Sequence, residues 1–503
     1  MSSLERWASR GVGWMAVLVL TSLVFIATVT GRAEGEESGG MSMATEWAGS
    51  APKVLAAYAL RAGEMREPAP RGDGYLHLDT PRLISRLKEL GIDTYFYLVW
   101  RSPVDWDDLK DEFLPAAREA GINVVVYLVP PSESTGELKS YPYTTDYIAW
   151  AKAIAELSLR YPNLIAWAID DFDGNLSYFT PEYMATMAET ARNINPRLGF
   201  LPLLYATAVT QQFLSTRGAF IDGVIVAYRD DPYRNTQRLS SMQGQIDRIS
   251  ALLNQYGLPL YWMIYASQLS RTPAPPSVKY VEKAVSLALD NMRMGKIDGI
   301  VMYQLPLEQI SEPSPAITGR GYLSFFIPPN TVTRQGDVLS ASQTICPNEN
   351  WPGNYTLMFY TRDVGPNTGG YHVKQLLVDD TVVWESDVAA TASTDWQLVT
   401  VNLTPYLAGK SRARLTFRLY EKKGVSNYWQ IVGFDCLVAQ GFTLVNPDFE
   451  DAVGWELTDE RAFGIAEIAW VDPQREAKVA EMVAGAFSSY RASLSAASPI
   501  SGQ

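Results

Sequence analysis

From residue 52 to about residue 310 the chain alternates two patterns. Short apolar runs fall at residues 54–60, 93–100, 123–130, 164–171, 198–205, 223–228, 258–265 and 299–305. Runs that are apolar at nearly every position read as strands buried on both faces. Between them, apolar residues recur at helical spacing over residues 80–90, 106–120, 145–160, 181–193, 239–256 and 278–294. Regular strand–helix alternation predicts a parallel sheet with helices outside. Eight such units in this length predict a closed (β/α)8 barrel rather than an open sheet. Gly91-Ile92, Gly121-Ile122 and Gly257-Leu258 recur as helix-to-strand joints, where glycine accepts a positive φ. No G-x-G-x-x-G follows the first strand, which argues against a dinucleotide fold.

The pattern changes after a stretch at 311–331 that carries Pro313, Pro315, Pro328 and Pro329 and reads as a linker. From 332 to 441, short β-rich runs at 354–361, 373–378, 381–385, 397–403, 413–420 and 430–437 are separated by turn residues. They predict a separate antiparallel β-sandwich. Residues 442–503 open with LVNPDFEDAVGW, either the start of a second module or a strand returning to the first. A helical pattern at 473–494 follows. At the other end, Arg6 and Arg10 precede an apolar run at 12–30 that closes near Ala33. Residues 1–33 therefore read as an export signal, or as an uncleaved membrane anchor, and residues 34–51 as a Gly/Ser/Glu-rich linker. Either reading sends the rest of the chain outside the cytoplasm.

Composition narrows the chemistry. A net charge of −13 argues against nucleic acid or an anionic membrane surface as partner. His77 and His372 are the two histidines in the chain and fall in different predicted domains. A Ser-His-Asp triad or a multi-histidine metal site is therefore poorly supported, and no cofactor is required. Cys346 and Cys436 form either one disulfide or two free thiols. Tyrosine and tryptophan are plentiful, 27 and 14, which suits either large cores or surfaces that pack against sugar rings.

The active face of a barrel is built from strand C-terminal ends. Here the fourth strand ends in Asp170, Asp171 and Asp173, three acids within four residues. The other ends carry Tyr58, Trp100-Arg101, Ser132-Glu133, Tyr205, Tyr228-Arg229-Asp230-Asp231, Tyr265 and Tyr303-Gln304, with Glu308 beyond. Paired carboxylates with no usable histidine point to glycosidic-bond chemistry, which needs one protonated carboxyl and a second negative group. Asp171 is the expected acid, oriented by Asp170 and Asp173. Asp230 is the expected partner across the cleft, with Glu308 second. Tyr58, Trp100, Arg101, Asp173, Tyr205, Tyr228, Tyr265, Tyr303 and Gln304 are the expected substrate contacts. Side-chain parity places Ala166 and Ala168 toward the barrel interior and Ile165, Trp167 and Ile169 toward the helices. That sends Asp170 inward and leaves Asp171 on the rim.

These strand ends resemble the glycoside hydrolase superfamily of TIM barrels, over about half the chain. The nearest local likeness is to chitinase-type barrels, which carry D-x-D-x-E after strand four. Here Asp171-Phe172-Asp173-Gly174 is followed by Asn175 where that family's acid would stand, and Arg229 separates Tyr228 from Asp230. The order VVWESDVA, WQLVTVNLTPYLAGKSRARLTFRLY, VGFDCLVA resembles jelly-roll carbohydrate-binding modules. That resemblance implies a structural calcium with Asp435 as a ligand, and binding aromatics among Trp351, Tyr371 and Tyr428. The expected function is an exported enzyme cleaving a polysaccharide or glycoconjugate. The alternatives are a non-catalytic carbohydrate-binding or cell-surface protein with an inert barrel, and a hydrolase using a metal at the aspartate cluster.

Overall fold

A computed structural model describes residues 52–497, apart from short segments at 59–64, 137, 231–237, 269–274, 308–315, 329–330, 367–368, 389–394, 427–428, 452, 460–462 and 471–473. The apolar runs form eight parallel strands: β1 Val54–Tyr58, β2 Thr94–Val99, β3 Asn123–Leu128, β4 Leu164–Ile169, β5 Gly199–Tyr205, β6 Val224–Ala227, β7 Leu260–Tyr265 and β8 Gly299–Tyr303. They pair in chain order, and β8 pairs with β1 to close the barrel. Glycine makes that seam possible: a Cβ on Gly299 would collide with the Val54 side chain and sit 2.8 Å from its carbonyl oxygen. Strand alternation divides the core in two. Ala56, Tyr58, Phe96, Tyr127, Ala168, Leu203, Met263 and Val301 fill the interior. Leu55, Ala57, Val126, Trp167, Val226, Trp262 and Met302 pack beneath the helices.

Helices follow the first seven strands: α1 Thr80–Glu89, α2 over residues 105–119 with a π-helical turn at Leu109–Phe113, α3 Tyr147–Arg160, α4 Pro181–Ile194, α5 Gln211–Arg217, α6 Met242–Asn254 and α7 Val278–Arg293. Side-chain caps start several of them; the Thr180 hydroxyl, for example, accepts from Tyr183 N ahead of α4. The joints at Gly91, Gly121 and Gly257 take positive φ, as their helix-ending position demands. The short, polar α5 was not legible in the sequence.

Between β8 and the sandwich no helix occurs among the described residues. The missing layer is supplied from the far end of the chain. The last helix, α8 Arg475–Ala497, lies along α7 and buries Val479, Ala480, Val483, Phe487 and Tyr490 in the barrel's outer core. Arg475 donates to the carbonyls of Pro276 and Ala266, and Arg491 reaches the Gly91 carbonyl and Asp93 (3.0 Å). So α8 bridges the region of α7 to the joint before β2, the place of an eighth barrel helix. Burying five such side chains contributes about 1.5–3 kcal/mol for each large one.

The sandwich lies between β8 and α8. Its strands are β9 Gly321–Ile327, β10 Val338–Ile345, β11 Thr356–Val364, β12 His372–Val378, β13 Thr381–Asp387, β14 Gln397–Asn402, β15 Ala413–Glu421, β16 Gln430–Gln440, β17 Glu456–Asp459 and β18 Ile465–Trp470. Two five-stranded antiparallel sheets, ordered β13-β12-β15-β10-β17 and β14-β11-β16-β9-β18, face each other across a core that includes Leu323, Phe359, Phe417 and Phe434. Strand β9 falls inside the stretch read as a linker. Strands β17 and β18 return from beyond residue 441 to pair with β10 and β9. Cys346 and Cys436 are free thiols.

Candidate active site

One turn of backbone decides which acids meet. β4 ends at Ile169, and Asp171 takes a left-handed conformation, φ 37° and ψ 41°, uncommon for a residue with a side chain. On a continuing strand, neighbours point to opposite faces. The left-handed residue breaks that rule, and Asp170 and Asp171 line one cavity together. Asp170 accepts the Asp171 N–H at 2.9 Å. The parity reading sent Asp170 inward, and its neighbours Ala166 and Ala168 do face the interior while Trp167 and Ile169 face the helices. Ile165 departs from that parity and packs with the interior. Pairing with β3 slips here, so that Val124 faces Leu164 but Val125 faces Ala166, and the extra residue turns inward.

The third acid is Glu133, in a short 3-10 turn at Pro131–Glu133 just after β3. This turn is tied to the one after β4 by Asn175. The buried Asn175 amide donates to Ser132 Oγ (3.0 Å) and the Asp171 carbonyl (3.0 Å) and accepts from Ser132 N (3.1 Å). The residue that stands in the chitinase-type acid position is thus the staple that holds Glu133 beside Asp171.

The described cavity has a volume of about 110 Å³ and is lined by Glu133, Asp170, Asp171, Leu203, Tyr205, Met263, Tyr265 and Tyr303. Burial pushes Glu133 up to about 7, Asp171 pushes it further in the same direction, and Arg101 opposes both. Burial, then the charges of Asp171 and Glu133, raise Asp170 well above the usual carboxylate range. The buried Tyr127 hydroxyl pulls the other way without a hydrogen bond of good geometry. Asp173 is also raised, by burial and by Asp171. A carboxyl that keeps its proton near neutrality, beside others in a polar cavity, is the equipment for general acid catalysis.

Tyr205, Tyr265 and Tyr303 meet the cavity directly. Tyr58 lies in the barrel interior, its ring 4.6 Å from Tyr127 and 5.2 Å from Tyr303. Arg101, at φ 74°, stacks over Trp100 at 3.9 Å. Gln304 donates to the Tyr303 hydroxyl at 3.1 Å. Tyr228 points outward instead, packed on Trp262, with its hydroxyl 3.2 Å from Asp230. Asp230 is fully buried away from the cavity lining, where its Oδ1 accepts from Ser240 Oγ (3.0 Å), Ser241 N (3.2 Å) and Ser241 Oγ (3.0 Å). These bonds tie the end of β6 to the start of α6. Glu308 lies outside the described residues.

Among the described residues, the one converging set of metal-ligand types is taken up by its own pairs. His77, Asp108 and Glu112 converge, with potential ligand atoms within 4.8 Å of one another. Both His77 ring nitrogens already face carboxylates, Asp108 at 2.5 Å and Asp73 at 2.8 Å, and Glu112 pairs with Arg71. Burial pulls the imidazole down, but the bonds to Asp108 and Asp73 outweigh it and leave it raised. Asp435 does not fit a calcium ion: its oxygens accept backbone N–H groups of Ile317 (2.8 Å), Thr318 (3.4 Å) and Cys436 (2.6 Å), dipoles that repel a cation. Burial leaves this carboxyl raised to about 6. Trp351 and Tyr371 are both partly exposed but sit at opposite ends of the sandwich, Trp351 beside the Gln440 end of β16 and Tyr371 beside the Glu421 end of β15. Tyr428 lies outside the described residues.

No protein-family model and no curated protein matches the sequence. Among solved structures, the chain is similar to a glucosidase from Croceicoccus marinus at 9% identity and a TM-score of 0.35, over 76% of this chain and 96% of that one. It is also similar to an α-L-arabinofuranosidase from Thermotoga maritima, at 11% identity and a TM-score of 0.35, over 77% and 96%. A chitinase from Pseudoalteromonas aurantia follows at 14% and 0.33, over 51% and 95%. The closed eightfold strand order shows a (β/α)8 barrel, and the likenesses to solved structures add nothing beyond that fold. The barrel's chemistry has to be argued from its own side chains.

Proposed function

We propose that this chain is an exported enzyme that cleaves glycosidic bonds in a polysaccharide or glycoconjugate. The observation that supports it best is the convergence of Glu133, Asp170 and Asp171 on one tyrosine-lined cavity, with Glu133 titrating at about 7. Glu133 is the proton donor to the leaving oxygen: burial and the neighbouring Asp171 keep its proton in place near neutrality. Asp171 is the second group, attacking the anomeric carbon or drawing a proton from water. Asp170, deeper and more strongly protonated, donates a hydrogen bond within the site and accepts the Asp171 N–H. Tyr205, Tyr265 and Tyr303, all raised by burial and therefore neutral, offer hydroxyls to the sugar. The candidate acid thus moves from Asp171 to Glu133, and the partner from Asp230 to Asp171.

Export rests on the sequence of residues 1–33, which lie outside the described residues. Among those described, no helix is long and apolar enough to cross a membrane. The sandwich is the candidate glycan anchor, through Trp351 or Tyr371 separately, since the two do not share a surface.

The test is a screen of the full chain against polysaccharides, with cleavage and binding measured in parallel and Glu133→Gln as control. Cleavage that the control lacks supports the reading. Binding with no cleavage in either protein would replace it with the inert-barrel alternative.

A further inference from the structure

The arginines around the barrel are nearly all spoken for. Arg66 pairs with Asp105, Arg71 with Glu67 and Glu112, and Arg192 with Asp222, while Arg248 donates to two backbone carbonyls. Arg229 differs. It follows β6 on the active face and is half-buried. Among the described residues its guanidinium has no ion-pair or hydrogen-bond partner. It sits over Tyr205, its Cζ 3.4 Å from the ring centroid, and Tyr205 lines the cavity. A guanidinium held over a ring by cation–π attraction spends none of its N–H groups on that contact and keeps them for a planar anion, which it can bind in bidentate fashion. A half-buried cation with no partner is costly unless a ligand completes it.

The charge balance favours an anionic ligand. Of the cavity's acids, burial and neighbouring charge raise Asp170 well above the usual carboxylate range and Glu133 to about 7. Arg229 also lowers Asp173 and the cavity-lining Tyr265 by its charge, which acts beside the cavity. Arg101 stacks on Trp100 and acts on Glu133. Three carboxyls line the cavity and Asp173 follows them in the chain, but Asp170, Glu133 and Asp173 are all raised, and Arg101 and Arg229 set positive charge against Glu133 and Asp173.

We propose that Arg229, fixed on Tyr205 beside the cavity, is a subsite for the carboxylate of an acidic sugar, so that the substrate is a glycan bearing uronic acid. The proposal rests on the hydrolase reading above, and its test separates the two. Oligomers of galacturonate, glucuronate and mannuronate are compared with the carboxyl-reduced form of each, in which –CH2OH replaces –COO⁻ at unchanged linkage. Binding is followed by calorimetry and cleavage by product release, for the full chain and for Arg229→Met and Arg229→Lys.

One acidic oligomer is expected to show a KM or Kd lower than its reduced form by about tenfold or more, the scale of a charge-assisted bidentate contact. Arg229→Met should bring that ratio toward one, and Arg229→Lys should restore part of it. Were Arg229 only a counter-charge for Asp173, Arg229→Met would shift the pH profile on acidic and reduced oligomers alike and leave the ratio intact, which would overturn the subsite. Equal affinity of wild type for both forms would also overturn it, with the hydrolase reading standing if either is cleaved. Acid-selective binding without cleavage would keep the subsite and reject the hydrolase. Binding of none of the oligomers would overturn the subsite.

Discussion

At the end of β4, Asp170 and Asp171 face open space alongside Glu133. At the end of β6, Asp230 faces Ser240, Ser241 and Tyr228, and its Oδ1 is filled by their donors. Both are aspartates that follow a buried strand at the same level of the same barrel. The difference lies in where their hydrogen bonds go. A buried carboxylate that accepts hydroxyl and backbone donors through one oxygen, as Asp230 does through Oδ1, is a structural tie. Facing a cavity and one another, Asp170 and Glu133 are raised in pKa, and such carboxyls are available for proton transfer.

The comparison is broken most sharply by removing acids one at a time. Asp171→Asn and Glu133→Gln should each cost at least about a hundredfold in turnover, the scale of acid–base catalysis, with little loss of folded protein. Asp230→Ala should do the reverse. It strands Ser241 N and two serine hydroxyls, and thermal or urea unfolding should report a loss of about 2–4 kcal/mol. A stable Asp230→Ala protein with no activity would erase the distinction between the two ends.

A smaller effect sharpens it. The Glu133 pKa is raised from 4.5 to about 7 in the folded protein. Between these values the folded state holds more protons than the unfolded state, so stability falls as pH rises through that window and the protonated form's advantage is gone above it. Glu133→Gln should therefore be more stable than wild type at pH 8, by about 1–2 kcal/mol after discounting for partial exposure, and no more stable at pH 4. Asp230→Asn should show no such gain at pH 8, because Asp230 is held by donors.

Much of the barrel was legible because strands buried on both faces leave continuous apolar runs, and the predicted boundaries fall within a few residues of the observed ones. Four features were not: the short, polar α5 and the three that follow. β10, VLSASQTI, has too many small hydroxyl residues to announce a strand, and β9 was masked by the prolines around it. The apolar stripe of Val479, Val483 and Phe487 marked a helix but could not say that it would close a barrel whose other elements precede it by some two hundred residues. Truncating the chain near residue 330 therefore removes a barrel helix along with the sandwich, and that deletion cannot isolate a binding role. At the site, Asp170 and Asp171 stood out as a cluster, whereas Glu133 was one acid in a polar loop. Its position depends on Asn175 reaching across to Ser132, and Asp230's fate depended on serines ten residues downstream. Long-range hydrogen bonds of that kind leave no periodic trace. The unpaired cation of Arg229 was equally hidden, although its place after Tyr228 on a strand end was a usable signal.

The most direct measurement needs no substrate. The side-chain carboxyl of Glu133 can be titrated by carbon NMR in selectively labelled full-length protein, assigned by its loss in Glu133→Gln. A midpoint near 7 in the wild type is expected, since burial and Asp171 both raise it. In Asp171→Asn the midpoint should fall, though not to the ordinary value, because burial remains. A wild-type midpoint near 4.5, or one that does not move when Asp171 is neutralised, would contradict the assignment of Glu133 as the proton donor of a coupled carboxyl site.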